Sequence, residues 1–370
     1  MSHLTGLGAV LVLCGLLATL SACGSGERDP GEREPTAEPS PVSATGSSSP
    51  SHRVYVTNEL SGDMTVIDGE THRVLATAPL GKRPRGIQLS PDGTQLFVAL
   101  SGSPIAGPEV DERTLPPADP SADGIGIFDL STQRLSRIIR GVSDPEQLVI
   151  SRDGRRLYIA SEDTGTAVVV DVASGKTIAT LPVGGEPEGV GISPDGRFVY
   201  MTSEEDHQVS VIDTERNEVI KQFKVGERPR QAAFSPDGTR AYVTGEFDAS
   251  VSVVDTSSHT VTQTIRLTGE LVRPMEVDVS PDGRWAYVTT GRGRTLVAID
   301  TNTHQPVRTV TVGQRPWGLA ISPDGKRLYT ANGPSDDVSI VDAESFTVVA
   351  TVPAGSRPWG VVVVPSQRGQ

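Results

Sequence analysis

The chain has 370 residues, of which 36% are hydrophobic and 4% aromatic, and it carries a formal net charge of −13. With no basic run to offset it, that balance excludes the clustered Lys and Arg on which nucleic-acid binding relies. Cys14 and Cys23 are the only cysteines and both lie near the N-terminus, which excludes a disulfide framework or a thiol nucleophile in the rest of the chain.

Leu4 to Leu20 is apolar and uncharged and runs into Leu20-Ser21-Ala22-Cys23. Residues 1–22 read as a secretory leader, although only His3 supplies any basic character before the apolar run. The ending resembles the bacterial lipoprotein signal, which implies that Cys23 is lipidated and becomes the mature N-terminus. The alternative is ordinary cleavage that leaves a free Cys23. Residues 23–51 are Pro, Ser, Glu and Gly with almost no large apolar side chains. Such a segment cannot bury enough surface to fold and reads as a tether. The expected address is the bacterial cell envelope, reached through a lipid anchor in the membrane. Gly24 after Cys23 favours the outer membrane in a two-membraned cell.

From residue 52 to 365 the chain repeats itself. "SPDG" or a close relative begins at Ser90, Ser151, Ser193, Ser235, Ser280 and Ser322, with a worn copy at Val364. A hydrophobic run ending in aspartate closes at Asp68, Asp129, Asp171, Asp213, Asp255, Asp300 and Asp342. Each series contains one interval of 61 residues, one of 45 and four of 42, so the units are true tandem copies and there are seven. Each unit reads as four short strands; after Gly189 they are "GVGIS", "FVYMT", "QVSVID" and "EVIKQF". "PDG" suits a tight hairpin, because Pro presets φ, Asp bonds nearby backbone and Gly takes the left-handed position. The aspartate ending the third strand is expected to make a similar side-chain turn.

No 3.6-residue apolar period follows the leader, so almost no helix is expected. Radially repeated four-stranded units of this length make an all-β seven-bladed propeller. The first complete feature is a second-type strand, "RVYVTN" at Arg53, and the last is a first-type strand, "GVVVV" ending at Val364. One blade must therefore combine both chain ends. Residues 366–370 remain as a tail.

These motifs carry a resemblance. "RVYVTN…MTVIDGETHRVLATAPLGKRPRG" resembles the YVTN-type β-propeller repeats of bacterial and archaeal cell-surface proteins. The series "KRPRG…DPEQ…EPEG…RPRQ…RPWG" is similar to propeller proteins found with pyrroloquinoline-quinone-dependent alcohol oxidation systems. The resemblance implies a seven-bladed fold and, as one alternative role, an accessory of periplasmic quinone-dependent alcohol oxidation.

Inter-blade loops and the loops between second and third strands should open on one face, where function is expected. The inter-blade loops centre on Pro84, Pro145, Pro187, Pro229, Pro274, Pro316 and Pro358. Arg83, Arg85, Arg228, Arg230, Arg273, Arg315 and Arg357 make five of them basic, whereas Asp144, Glu146, Glu186 and Glu188 make two acidic. In ring order this predicts a bipolar mouth, with a five-loop basic arc facing a two-loop acidic one. Trp317 and Trp359 follow Arg-Pro pairs within the basic arc. Beside Arg315 and Arg357 they would suit a planar anionic ligand or an acidic patch on an envelope partner. The structural alternative is that Glu59, Glu162, Glu204, Glu205 and Glu246 pair with the arginines and hold blades together. The long segment from Ser101 to Asp123, 19 residues over the period, is either a partial cover for the mouth or a solvated insertion.

The six histidines are never paired at ligand spacing, so no metal or other cofactor is expected. "GRGR" at Gly291 joins two strands and is no nucleotide fingerprint. The leading expectation is a monomeric, non-catalytic binding module. A lactonase-like enzyme is the catalytic alternative, with Glu204 and Glu246 among its scattered candidate carboxylates.

Overall fold

The computed structural model describes residues 51–105 and 114–366. The expected leader, tether, Cys23 and C-terminal tail lie outside the described residues, save for Ser51 and Ser366 at their edges. Strands β1 to β28 form seven four-stranded antiparallel sheets, so the chain is an all-β seven-bladed propeller. The first strands, which line the central channel, are β4 (Pro84–Leu89), β8 (Pro145–Ile150), β12 (Pro187–Ile192), β16 (Pro229–Phe234), β20 (Val277–Val279), β24 (Pro316–Ile321) and β28 (Pro358–Pro365). Among the described residues helix is confined to short 3-10 turns, such as Gly291–Gly293 and Gly333–Ser335. "GRGR" is the first of these, and a strand follows it.

The repeated motifs do local work. In "SPDG" the serine Oγ donates to the aspartate, as from Ser193 to Asp195 at 2.5 Å, and accepts the N–H of Phe198 at 2.9 Å. The glycine that follows sits at φ +77 in Gly196, a conformation glycine tolerates without steric cost. The aspartate that ends each third strand accepts the backbone N–H three residues on, as Asp171 does from Ser174, and in several units also the one two residues on; Asp213 receives Glu215 and Arg216, both at 3.0 Å. At Asp129 and Asp255, hydrogen bonds from Ser131 and from Ser257 lead those that bring the carboxyl down to about 2.

Ring closure follows the pattern expected from the sequence. β28 pairs antiparallel with β1 (His52–Asn58), placing Arg53 opposite Val364 and Tyr55 opposite Val362. The Ser366 N–H then donates to the Ser51 carbonyl at 3.0 Å, which brings the two ends of the described propeller side by side. Apolar side chains gather between blades, and each of the seven blade-to-blade interfaces has its own buried cluster. The one that seals the ring joins Val54, Val56 and Val361 to Tyr329, Ala331 and Ile340. Outermost strands have little to cover them, so Val74, Leu75, Ile178 and Ile220 are exposed.

Histidines that looked unassigned have a structural place. His72, His259 and His304 occupy one repeat position, the left-handed residue between third and fourth strands, which Gln133, Asn217 and Phe346 fill elsewhere. From there His259 Nδ1 meets the Tyr200 hydroxyl at 2.7 Å, while Asn217 Oδ1 accepts from Tyr158 at 3.1 Å. The position ties one blade to the next on the side away from the mouth.

Candidate functional site at the channel mouth

One backbone device builds the mouth in six of the seven units. The residue before the first-strand proline takes positive φ in six units: Arg83, Asp144, Glu186, Arg228, Arg315 and Arg357, at 37° to 56°. Such residues are strained, and strain of this kind persists only where surroundings hold it. Here the second-to-third-strand loop supplies the hold. Glu59, Glu162, Glu204 and Glu246 donate backbone N–H groups to the carbonyls of Arg357, Asp144, Glu186 and Arg228 at 2.8 to 3.1 Å. The same bond carries each glutamate carboxylate to the rim.

The residue after each proline turns toward the channel, giving a ring of Arg85, Glu146, Glu188, Arg230, Met275, Trp317 and Trp359. Threonines in the second strands steady this ring. Thr57 Oγ1 donates to the Arg85 carbonyl at 2.7 Å and accepts from Gly360 N–H at 2.9 Å. Thr244 does the same with Met275 and Gln231, and Thr289 with Trp317 and Glu276. These threonines belong to the "YVTN"-like strands, where their hydroxyls were the unread signal. One residue deeper the strands converge; four of the seven units carry glycine there and the others Gln147, Gln231 and Glu276, and a Cβ on Gly189 would lie 2.1 Å from the Arg230 carbonyl oxygen.

The mouth is a cavity of about 1010 Å³. Its lining brings together Arg83, Arg85, Arg228, Arg230, Arg315, Trp317, Arg357 and Trp359, together with nine carboxylates. Arg273 is not among them; it lies over the Phe247 ring at 5.1 Å and donates to the Phe247 carbonyl. The expected five-loop basic arc is therefore narrower, for a physical reason. A buried cation requires a counter-charge, and carboxylates from adjoining loops reach four of the arginines. Arg85 pairs with Asp144 at 2.5 Å, with Glu146, and with Glu162 at 3.8 Å. Arg230 pairs with Glu188 at 2.8 Å and with Glu204, while Arg228 meets Glu204 at 2.5 Å and Glu246 at 3.3 Å. Arg83 is held by Glu59 at 2.9 Å and donates to the Ser103 and Pro104 carbonyls, which fastens the start of the long loop to the rim. Both described ends of that loop, including Ile105, Leu115 and Pro116, line the cavity.

Arg315 and Arg357 are left over. Arg357 has Glu59 only at 3.9 Å, and among the described residues Arg315 has no carboxylate within ion-pair distance. Arg315 instead lies over Trp317 at 4.5 Å, and burial, then the nearby Arg230, pushes its guanidinium down to about 10. The tryptophans stand in first strands rather than in free loops. They stack on each other at 6.0 Å and 21°, and Arg230 also lies over Trp317 at 4.9 Å. Trp317 therefore carries an indole and two guanidiniums around its ring, and Trp359 is only 7% exposed. The pair forms a wall, and the broad free faces expected for stacking a planar ligand are not available.

Facing this wall is the acidic side. Burial, with Asp144 and Glu186 nearby, lifts Glu162 to about 7 against the pull of Arg85. Glu188 and Glu204 are also raised by burial. In the narrow channel below, Glu276 is pushed up to about 8 and Asp278 to about 6, both by burial. Asp144, Glu146 and Glu162 each bring a carboxylate oxygen within 4.8 Å of the others; Arg85 sits against Asp144 and Glu146 and only reaches Glu162 at 3.8 Å, so it fills the centre of the group with a cation while the group stays acidic.

Two family models match parts of this chain. "Lactonase, 7-bladed beta-propeller" matches residues 214–351, and "Cytochrome D1 heme domain" matches residues 122–235. No curated protein matches the chain. Among solved structures, hydrazine synthase of Kuenenia stuttgartiensis is similar at 22% identity and a TM-score of 0.65, over 77% of this chain and 96% of that one. A putative 6-phosphogluconolactonase from Bacteroides uniformis is similar at 17% identity and 0.68, over 85% and 99%. A functionally unknown protein from Desulfotomaculum acetoxidans is similar at 16% and 0.69, over 85% and 100%. At these identities the likeness shows the fold. One of these family models names a haem. Haem iron takes an axial His, Cys, Met or Tyr, whereas the cavity lining offers carboxylates, guanidiniums and indoles, with Met275 alone as a sulfur ligand in the neck beneath. The donor set does not fit a haem.

Proposed function

We propose that this protein is a binding module whose propeller mouth takes a small anionic ligand against Arg315 and Arg357. Arg315 carries the reading. It is a half-buried cation with no carboxylate partner among the described residues, resting on an indole at the wall of a large cavity. Burying such a charge is costly until an anion arrives, so ligand binding would supply the missing partner. Arg83, Arg85, Arg228 and Arg230 hold the frame through their cross-blade ion pairs, as the structural alternative anticipated for them. Lipid on Cys23 would keep the module at the envelope, a reading supported by Leu20-Ser21-Ala22-Cys23.

The test is a titration with small carboxylates and phosphates, inorganic phosphate included, followed by tryptophan emission. Two of the three tryptophans stand at the cavity wall. Binding should weaken with salt and be lost in Arg315→Ala. Emission and calorimetry that show no binding by any member of the panel would reject the reading.

A second reading is favoured by the lactonase model match over residues 214–351 and by the carboxyl of Glu162 near 7. A carboxylate in that range can take a proton from water attacking a lactone carbonyl. Ring opening of 6-phosphogluconolactone or simpler lactones, measured by proton release and abolished in Glu162→Gln, would support it; rates equal to buffer alone would dismiss it.

A further inference from the structure

We infer that the ligand of this mouth is a small zwitterion, with its anionic end on Arg315 and Arg357 and an amine on the opposite wall formed by Glu162, Asp163, Glu186 and Glu205. The inference rests on the anion-binding reading of Arg315 and extends it to the other half of the cavity.

Ring order sets the geometry. Arg315 and Arg357 enter the blades begun by β24 and β28, while Glu162, Asp163, Glu186 and Glu205 belong to those begun by β8 and β12. In a ring of seven these two groups stand across the channel from each other, and all six side chains line one cavity. The arginines between them are already paired. On one flank Arg85 is neutralised by Asp144 and Glu146, and on the other Arg228 and Arg230 by Glu188, Glu204 and Glu246. What remains is a field running from one wall to the other. On the acidic wall, Asp163 takes a hydrogen bond from Ser143, and the nearest arginine to any of the four is Arg85, 3.8 Å from Glu162.

A simple anion would satisfy the arginines and then face four carboxylates across a partly enclosed space, where such charges interact more strongly than in water. A simple cation would meet the reverse. A molecule carrying both charges lies along the field, and specificity arises because either half alone meets repulsion. At about 1010 Å³ the cavity is at the upper end of small-molecule sites and has room for a ligand of several residues' length. Pro104, Ile105, Leu115 and Pro116 add an apolar stretch to the wall of the same cavity.

The experiment uses di-, tri- and tetraglycine as free zwitterions, beside the N-acetyl form of each, which is only anionic, and the amide, which is only cationic. Calorimetry on the full chain should show at least one free peptide binding ten-fold or more tighter than both capped forms. In Glu186→Gln/Glu205→Gln the advantage over the N-acetyl form should disappear while the N-acetyl peptide still binds. Arg315→Ala should weaken free and N-acetyl peptides alike. An N-acetyl peptide that binds as tightly as its free form overturns this inference and leaves the anion site standing. If neither form binds at any length while a carboxylate or phosphate does, the zwitterion inference alone fails; if those anions do not bind either, both readings fail.

Discussion

Removing the last strand should unfold this protein, and the size of the effect can be worked from the closure geometry. Deleting residues 356–370 takes away β28, the inner strand of the first blade. Trp359, Val361 and Val364 are buried to 7%, 8% and 8% exposure, and Val362 and Val363 are half-buried. Fully burying a large apolar side chain is worth about 1.5–3 kcal/mol, so the strand contributes roughly 6–12 kcal/mol before its ladder bonds to β1 are considered. Domain stabilities are about 5–15 kcal/mol in total. Loss of the strand also leaves Val54, Tyr55 and Val56 on an open sheet edge, which invites aggregation. Size-exclusion chromatography and circular-dichroism melting of the truncated chain should show aggregate or no cooperative transition. A circular permutant separates lost closure from mere shortening. The described ends lie side by side at Ser51 and Ser366, so a short linker can join them while new termini open at the exposed turn of Asn302 and Thr303. That variant should fold and melt within a few degrees of the parent. A truncated chain melting like the full one would refute the argument.

Other outcomes follow from the charges. Arg230→Ala strands Glu188 and Glu204 without their main counter-ion and should cost about 3–5 kcal/mol in urea unfolding, whereas Arg315→Ala, which breaks no ion pair, should leave stability nearly unchanged. Glu276 has its carboxyl raised to about 8, so the folded state holds a proton that the unfolded chain releases near pH 4.5. Its contribution is present below that pH and declines as pH rises toward 8. Glu276→Gln should therefore be more stable than wild type at pH 9 by about 1–3 kcal/mol, with little difference at pH 5; equal melting curves at both would contradict this. Gly189→Ala should destabilise strongly, because its Cβ would collide with the Arg230 carbonyl, and a normal melting temperature would count against the close approach. Palmitate labelling should be present in wild type and absent in Cys23→Ala; labelling that persists in the variant would sink the lipoprotein reading of Cys23.

The amino-acid sequence alone determined the blades, because each device is local and repeated. Ser193-Pro194-Asp195-Gly196 closes its hairpin with bonds spanning five residues at most, and Asp213 caps a turn three residues on. Closure was legible as well, since a second-type strand at Arg53 and a first-type strand at Val364 have no other partners of their kind. The mouth was legible only in its inventory. That Arg85, Arg228 and Arg230 are paired while Arg315 has no carboxylate partner among the described residues depends on which carboxylates arrive from other loops and blades; Arg85 reaches Asp144 across 59 positions of chain, and Arg230 reaches Glu188 across 42. Trp317 and Trp359 look like free faces in sequence and become a stacked wall once adjacent blades are 6.0 Å apart at the rings. Charge pairing falls off with distance in space and is indifferent to distance along the chain, so which cations stay open for a ligand was decided by the tertiary structure.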